Sequence, residues 1–277
     1  MAHPMGNRDP LDVSRLTARL CRAPRTWSAV HVHDRISSTN AVAMQGSGAW
    51  EVVVAVHQSA GRGRLDRSWE APAGTSLTFS ATVPAPARAP GWVPLVAGLA
   101  VAEAITAVTG LTALLKWPND VLLPADDSRK VCGILCEYRP AADPAEAIVV
   151  TGIGINVSQD RDELPVDTGT SLALAGAADT DREDLLVTVL DRFATRYAAL
   201  LAGGAAADAV RAAYRASCAT LGTRVRLDRP DGRVETARAV DVDEDGALVV
   251  DAGHGPTRYA AGDVTHLRPS DAGTGLA

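Results

Sequence analysis

Lysine is nearly missing from this chain: of 27 Lys and Arg residues, only Lys116 and Lys130 are lysine. Four cysteines in 277 residues exclude a disulfide scaffold. Cys132 and Cys136, in "KVCGILCEY", fall with Ile134 on one face of a strand. No second Cys/His pair has the spacing to complete a zinc site with them. They read as small buried residues of a reduced, cytoplasmic protein. Aromatic residues make up 4 %, too few for a stacking platform on single-stranded nucleic acid. A net charge of -6 gives no broad basic face either, so no nucleic-acid partner is expected. The first ten residues, "MAHPMGNRDP", lack the apolar core of a secretion signal. The one long apolar run, residues 92–115, carries Glu103 near its centre. A carboxylate there would cost roughly 2.5–3.5 kcal/mol in lipid. Pro94, Gly98 and Gly110 argue the same way, so no membrane is expected, and the run reads as a buried helix over 93–108 followed by a strand.

What is present suits a sizeable core, with 47 % hydrophobic and 22 % charged residues. Asp9-Pro10 can start a short helix, "LDVSRLTARLCR", with Val13, Leu16 and Leu20 on one side. Strands are expected at 28–33 and 51–57, with a helix opening at "SSTNAVAMQ" between them. "TSLTFSATV" (75–83) alternates, with Leu77, Phe79, Ala81 and Val83 inward. Further strands are expected at 111–116, 130–138 and 147–156, then helices near 182–201 and 205–217. From Leu221 the texture changes to short strands split by turns such as "PDGR" and "DEDG", which reads as a small β-barrel.

Four junctions at strand ends concentrate polar chemistry. "SSTN" (37–40) offers hydroxyls and an amide, enough to hold a neutral polar head group, although a helix cap would use only one of them. "GRGRLDR" (61–67) sets three arginines among two glycines, suited to phosphate oxygens, yet it is neither a P-loop nor a dinucleotide-binding turn. "KWPND" (116–120) stiffens a turn beside a lysine that this arginine-writing chain has kept. Lysine is a compact point charge and arginine a planar fork, so a retained lysine marks work that arginine does badly. "GIGIN" (152–156) reads as a close backbone approach to a ligand or a neighbouring strand.

Taken in order, "SSTN", "HQSAGRGR…W", "KWPND", "RKVCGILCE" and "GIGINV", followed by a small barrel, resemble the biotin protein ligases (biotin–[acetyl-CoA-carboxylase] ligases) over about residues 25–268. The resemblance implies an α+β fold: a class II aminoacyl-tRNA-synthetase-like catalytic domain on a mixed sheet, with an SH3-like C-terminal barrel. Its expected division is a tail and short helix (1–25), a catalytic domain (26–218), the barrel (219–268) and a tail (269–277). It implies that biotin and ATP form biotinyl-5′-AMP, with Mg²⁺ accompanying ATP and no protein metal site. The biotinyl group then passes to a lysine of a biotin carboxyl carrier domain of acetyl-CoA carboxylase or a related enzyme. A homodimer is compatible with the family.

By the same resemblance, Ser38, Thr39, Asn40, Gln58, Arg62, Gly63, Arg64, Lys116, Gly152 and Gly154 would hold biotin. Arg62, Arg64, Arg67, Trp69, Lys116, Asn119, Lys130, Asn156 and Arg268 would hold ATP and the adenylate. Lys116, Arg64 and Arg67 would be catalytic, and the arginine segment would close as a lid over the adenylate. Asp66 departs from the family loop, where glycine is common. About 25 residues precede the catalytic domain, too few for the DNA-binding module of some relatives, so a ligase without repressor activity is expected. Two rival readings are a lipoate ligase or octanoyltransferase and an RNA-binding module. "GRGR" with "KWPND" argues against the first, and the scarcity of aromatics against the second.

Overall fold

Two apolar strands, β1 (Ala29–Ile36) and β2 (Glu51–Gln58), pair in parallel, with the short helix α2 (Thr39–Ala43) crossing between them. The computed structural model of the protein describes residues 8, 10–22, 26–46, 48–64, 67–228, 234–253, 255–260 and 263–266. A two-rung hairpin, β3 (Gly61–Arg62) with β4 (Ser68–Trp69), follows β2. β5 (Ser76–Pro84), β6 (Leu114–Lys116), β7 (Asp120–Leu123), β8 (Arg129–Arg139) and β9 (Ile148–Asn156) complete a seven-stranded mixed sheet. Its order is β1-β2-β5-β9-β8-β7-β6, antiparallel beyond β2.

The sheet is backed by α3 (Trp92–Thr109), α4 (Arg182–Ala202) and α5 (Gly204–Ser217). α3 is apolar all round and long enough to cross a membrane by length and composition. In the fold it lies against β6, β7, β8 and β9 on one side and α4 and α5 on the other, so its apolar surface is taken up by protein. Gly98 faces the sheet, where a Cβ would meet Leu115 at 3.4 Å and Ile134 at 3.5 Å in ordinary van der Waals contact. At the N-terminal side α1 (Val13–Leu20) buries Leu16 and Leu20, but Val13 is 45 % exposed. The first turn overhangs the core, contrary to the expected three-residue face.

The C-terminal strands β10 (Arg224–Asp228), β11 (Val234–Val242), β12 (Leu248–Asp251), β13 (Pro256–Tyr259) and β14 (Asp263–His266) form an antiparallel sheet. Its order is β13-β12-β11-β10-β14, so its first strand pairs with its last. The sheet is locked to the start of α3 and to the β6–β7 turn by buried tryptophans. Trp92 Nε1 donates to Asp243 O at 3.1 Å, and Trp117 Nε1 to Gly246 O at 3.0 Å. Gly91 lies so close that a Cβ would meet Asp245 O at 2.4 Å. Val225, Leu227 and Val264 share one continuous hydrophobic core with the central sheet.

Three sequence expectations are refined. The strand expected at 111–116 begins only at Leu114, after Gly110 ends α3 in a left-handed conformation, φ 73°. "KWPND" is the turn of a β6–β7 hairpin rather than a simple strand end. β5 is buried on both faces, so Thr78, Ser80 and Thr82 are as enclosed as the inward Leu77 and Phe79.

Candidate active site

The ends of β1, β2, β6 and β9 meet at a cleft of about 1220 Å³. That exceeds the roughly 300–1,000 Å³ of a pocket for one drug-sized ligand. Every site residue expected from the sequence lines it except Arg268, which lies outside the described residues, as does Asp66.

On one wall, Ser38 caps α2, accepting from Ala41 N at 3.4 Å, so its hydroxyl does the ordinary work of a helix cap. Gln58 Oε1 accepts from Thr39 N at 2.6 Å and Thr39 Oγ1 at 3.1 Å. Ser80 Oγ stands 2.7 Å from Thr39 Oγ1 and 2.6 Å from Asn40 Oδ1. Asn40 Nδ2 donates to Leu135 O at 3.2 Å and to Glu137 Oε2 at 2.7 Å. This network fixes the rotamers of Thr39, Asn40 and Gln58, with the Gln58 amide nitrogen beside Gly61.

The arginine segment folds back over this wall. Gly61 must be glycine, because a Cβ would lie 2.3 Å from Trp69 O across the β3–β4 hairpin. Gly63 N donates to Arg67 O at 2.6 Å, which tightens the bend. Arg62 Nη2 pairs with both Glu137 carboxylate oxygens, at 3.0 and 3.1 Å. Arg64 Nη1 donates to Asn119 Oδ1 at 3.2 Å. Arg67 is exposed at the cleft.

Trp69 is seated on two glycines. Gly133 and Gly154 face each other across β8 and β9. A Cβ on Gly154 would lie 2.4 Å from Trp69 Cε2, and one on Gly133 would lie 3.0 Å from Cζ3. Lys130 Nζ lies over the indole, 5.8 Å from the ring centroid, and pairs with Asp120 Oδ1 at 2.6 Å. Trp69 Nε1 is buried with no hydrogen-bond partner among the described residues. Gly152 accommodates Asn40, whose Oδ1 would lie 2.3 Å from a Cβ there. The "GIGIN" glycines thus admit two side chains in this structure, where the sequence suggested a ligand or a strand.

Opposite stands the 116–120 turn. Asn119 Nδ2 donates to Ile134 O at 2.9 Å, fixing the side chain whose oxygen receives Arg64. Lys116 lines the cleft at the end of β6. His266 of β14 lines it too, with its Nε2 2.9 Å from Thr220 Oγ1. Burial, and then the Lys116 ammonium, push the His266 pKa down to about 4, with Asp120 working the other way.

The far wall, residues 164–169, is held by Asp126, which accepts from Thr170 Oγ1 at 2.6 Å, Arg161 at 2.7 Å and Arg129 at 2.9 Å. Burial works against that carboxylate, but Thr170 and Arg161 hold its pKa below the usual range. Asn156 is already committed, donating to Thr170 O at 2.8 Å and accepting from Gln159 Nε2 at 3.0 Å.

Ser80, Glu137, Asp120 and His266 were not singled out from the sequence. Ser80 and Glu137 act through partners far along the chain, and only the inward polar register of β5 could have flagged Ser80. Among the described residues no three His, Cys, Asp or Glu side chains gather to hold a metal ion.

A model described as the biotin/lipoate A/B protein ligase family matches residues 32–156. A second, described as the biotin protein ligase C-terminal domain, matches residues 220–267. The biotin–[acetyl-CoA-carboxylase] ligase of Mycobacterium tuberculosis is 38 % identical over 272 residues, covering 94 % of this chain and 97 % of that protein. A bifunctional ligase/repressor of Bacillus spizizenii is 30 % identical, covering 83 % of this chain and 72 % of its own length. Among solved structures, the Aquifex aeolicus biotin protein ligase in complex with biotin and ATP superimposes with a TM-score of 0.73 at 26 % identity. The match covers 87 % of this chain and all of that one.

Proposed function

The chain belongs to the biotin protein ligase family, and from that premise we propose how its cleft carries out the family's reaction. It is an ATP-dependent ligase: biotin is activated as biotinyl-5′-AMP with release of pyrophosphate. The biotinyl group then passes to a lysine of a carboxylase carrier domain with release of AMP.

The observation that carries the assignment of roles is the gathering of one polar wall, three arginines and Lys116 in a single cleft. Biotin's neutral ureido head needs fixed donors and acceptors, and the Thr39–Gln58–Ser80–Asn40 network supports placing it there. Ser38 and the backbone of Arg62, Gly63 and Arg64 would complete that pocket, and Gly152 and Gly154 would shape it through the Asn40 and Trp69 side chains they seat.

In adenylation the biotin carboxylate attacks the α-phosphorus as pyrophosphate leaves. Two anions must be brought together, and negative charge builds on the phosphoryl oxygens. Lys116 beside the attacking oxygen, with Arg62, Arg64 and Arg67 on the phosphates, would offset that charge. Arg62 would exchange Glu137 for a phosphate, and Arg64 would exchange Asn119. Trp69 and Lys130 would flank the nucleotide. Asn156 could reach adenine only by releasing Thr170 or Gln159, so we assign it first to the wall. Arg268 would approach the nucleotide from the C-terminal end.

Mg²⁺ would enter with ATP as part of that substrate. Asp120, which lines the cleft and pairs with Lys130, is the carboxylate that would be nearest to hold it beside the phosphates. In transfer, the neutral amine of the carrier lysine attacks the adenylate carbonyl, and the C–O bond to AMP breaks. The closed arginine segment would keep water from that mixed anhydride.

The deciding experiment is ATP–pyrophosphate exchange with biotin, lipoate and octanoate compared. Exchange that depends on biotin and Mg²⁺ is expected. Equal exchange with lipoate, or none with biotin, would refute the substrate assignment.

A further inference from the structure

Lys116 ends β6, the outermost strand of the central sheet, where one side of the backbone has no strand neighbour among the described residues. An edge of that kind is free to fray unless something satisfies its outward groups. Residues 218–220 do so here. Ala219 N donates to Leu115 O at 2.8 Å, and Trp117 N donates to Thr220 Oγ1 at 3.0 Å. The residues before and after Lys116 are therefore pinned, one by a backbone amide and one by a hydroxyl.

That hydroxyl has a third participant. Thr220 is fully buried, and its Oγ1 lies 2.9 Å from His266 Nε2 on the last strand of the C-terminal sheet. A threonine hydroxyl carries one hydrogen and two lone pairs. One lone pair takes the Trp117 N–H, and the hydroxyl meets His266 Nε2 with its hydrogen or its second lone pair, according to the ring tautomer.

We propose that His266 is a positioning residue for Lys116, holding Thr220 Oγ1 on the Trp117 N–H and so fixing the strand end that aims the lysine into the cleft. This rests on the ligase reading above and gives the C-terminal sheet a part in adenylation. The chemistry of the ring suits the task. Its pKa is pushed down to about 4 by burial and by Lys116, with Asp120 opposing, so the imidazole stays neutral at working pH. A neutral ring keeps the bond to the Thr220 hydroxyl in either tautomer and adds no second cation beside the Lys116 ammonium.

The test is single-turnover formation of biotinyl-adenylate, with biotin binding measured alongside, in the full chain and in His266→Ala, Thr220→Val, the double variant and His266→Gln. Each of the first two should slow adenylation about tenfold, the rate equivalent of one well-placed hydrogen bond. Biotin affinity should stay within about twofold, because the wall built on Gln58 and Asn40 is untouched. The double variant should be no slower than the slower single one, since both break one relay. His266→Gln offers an amide near the Nε2 position and should recover most of the rate. Additive losses, parental rates, or equal losses of adenylation, biotin affinity and melting temperature in all four variants would overturn the proposal. If His266→Ala does not fold, Thr220→Val and His266→Gln carry the same comparison. A parent with no biotin-dependent adenylation would instead refute the ligase reading.

Discussion

In a Gly154→Ala variant the new Cβ would sit 2.4 Å from Trp69 Cε2, 2.6 Å from Nε1 and 2.7 Å from Cζ2. Carbon atoms pack comfortably at about 3.5–4.0 Å, so three atoms of a rigid ring would overlap by about an ångström. The backbone cannot give way, because β9 is hydrogen-bonded to β5 on one side and β8 on the other. The indole must leave its seat. Overpacking of this kind costs about 1–3 kcal/mol, which raises the population of the open arginine segment about 5–150-fold. The seated ring is also weakly held, since its buried Nε1–H has no partner among the described residues and regains water on release. In Gly133→Ala the Cβ would meet Trp69 Cζ3 at 3.0 Å and the flexible Lys130 end at 3.1 Å, so a few tenths of an ångström of movement relieves it.

The assay is limited trypsin digestion at Arg62, Arg64 and Arg67 without ligands, read by mass. When opening and closing are fast, cleavage tracks the open population. Gly154→Ala should be cut much faster than the parent and Gly133→Ala only slightly faster. Biotin and ATP together should protect the parent by fixing the arginines on phosphate. Equal cleavage of Gly154→Ala and parent, or cleavage of Gly133→Ala faster than that of Gly154→Ala, would refute the seat.

Lys116→Arg should lose on the order of 10²–10³ in single-turnover adenylation, the scale of removing one fixed electrostatic donor, while biotin binding measured by calorimetry changes far less. His266 is held neutral in the fold down to about 4 and would titrate near 6.5 in the unfolded chain. Between those values the unfolded chain binds more protons, so stability should rise with pH across that window, and His266→Gln should flatten the slope of melting temperature against pH. Deleting 219–277 removes the acceptors of Trp92 Nε1 and Trp117 Nε1 and the hydroxyl on Trp117 N. Thermal melting should fall sharply and adenylation should be lost; a soluble truncation with full activity would contradict both.

The gathering of the strand ends at one cleft was legible because each junction couples an apolar run to residues that runs do not carry. Glycine and arginine after β2, and lysine before a Trp-Pro turn, stand out against a background of alanine and valine. The buried α3 was legible from an apolar surface with a single carboxylate, which Arg196 answers at 2.5 Å. Ser80 was not legible, because alternating Ser and Thr on β5 look the same whether the second face meets water or α2. Glu137 was hidden for a related reason: its partners Asn40 and Arg62 lie 97 and 75 residues away. The glycines of "GIGIN" announced a close approach without naming what approaches. Any planar group fits such a floor, and nothing local distinguishes an indole from a ligand.

The charges of the cleft have partners before any substrate arrives. Arg62 rests on Glu137, Arg64 on Asn119 and Lys130 on Asp120. The two arginine contacts are of the weak kind: Arg62 is 55 % exposed in its pair, where ion pairs contribute about 0–1 kcal/mol, and Asn119 is a neutral acceptor. On the reading proposed above, a phosphate would offer either guanidinium a charge-assisted, two-pronged bond, and the exchange would run toward substrate without a large reorganisation. Glu137 keeps one contact through that exchange. Its Oε2 accepts from Asn40 at 2.7 Å, so the carboxylate released by Arg62 still holds the wall assigned to biotin. On that proposal the nucleotide would draw the arginines across without loosening the wall assigned to the other substrate, as a reaction joining the two in one cleft requires.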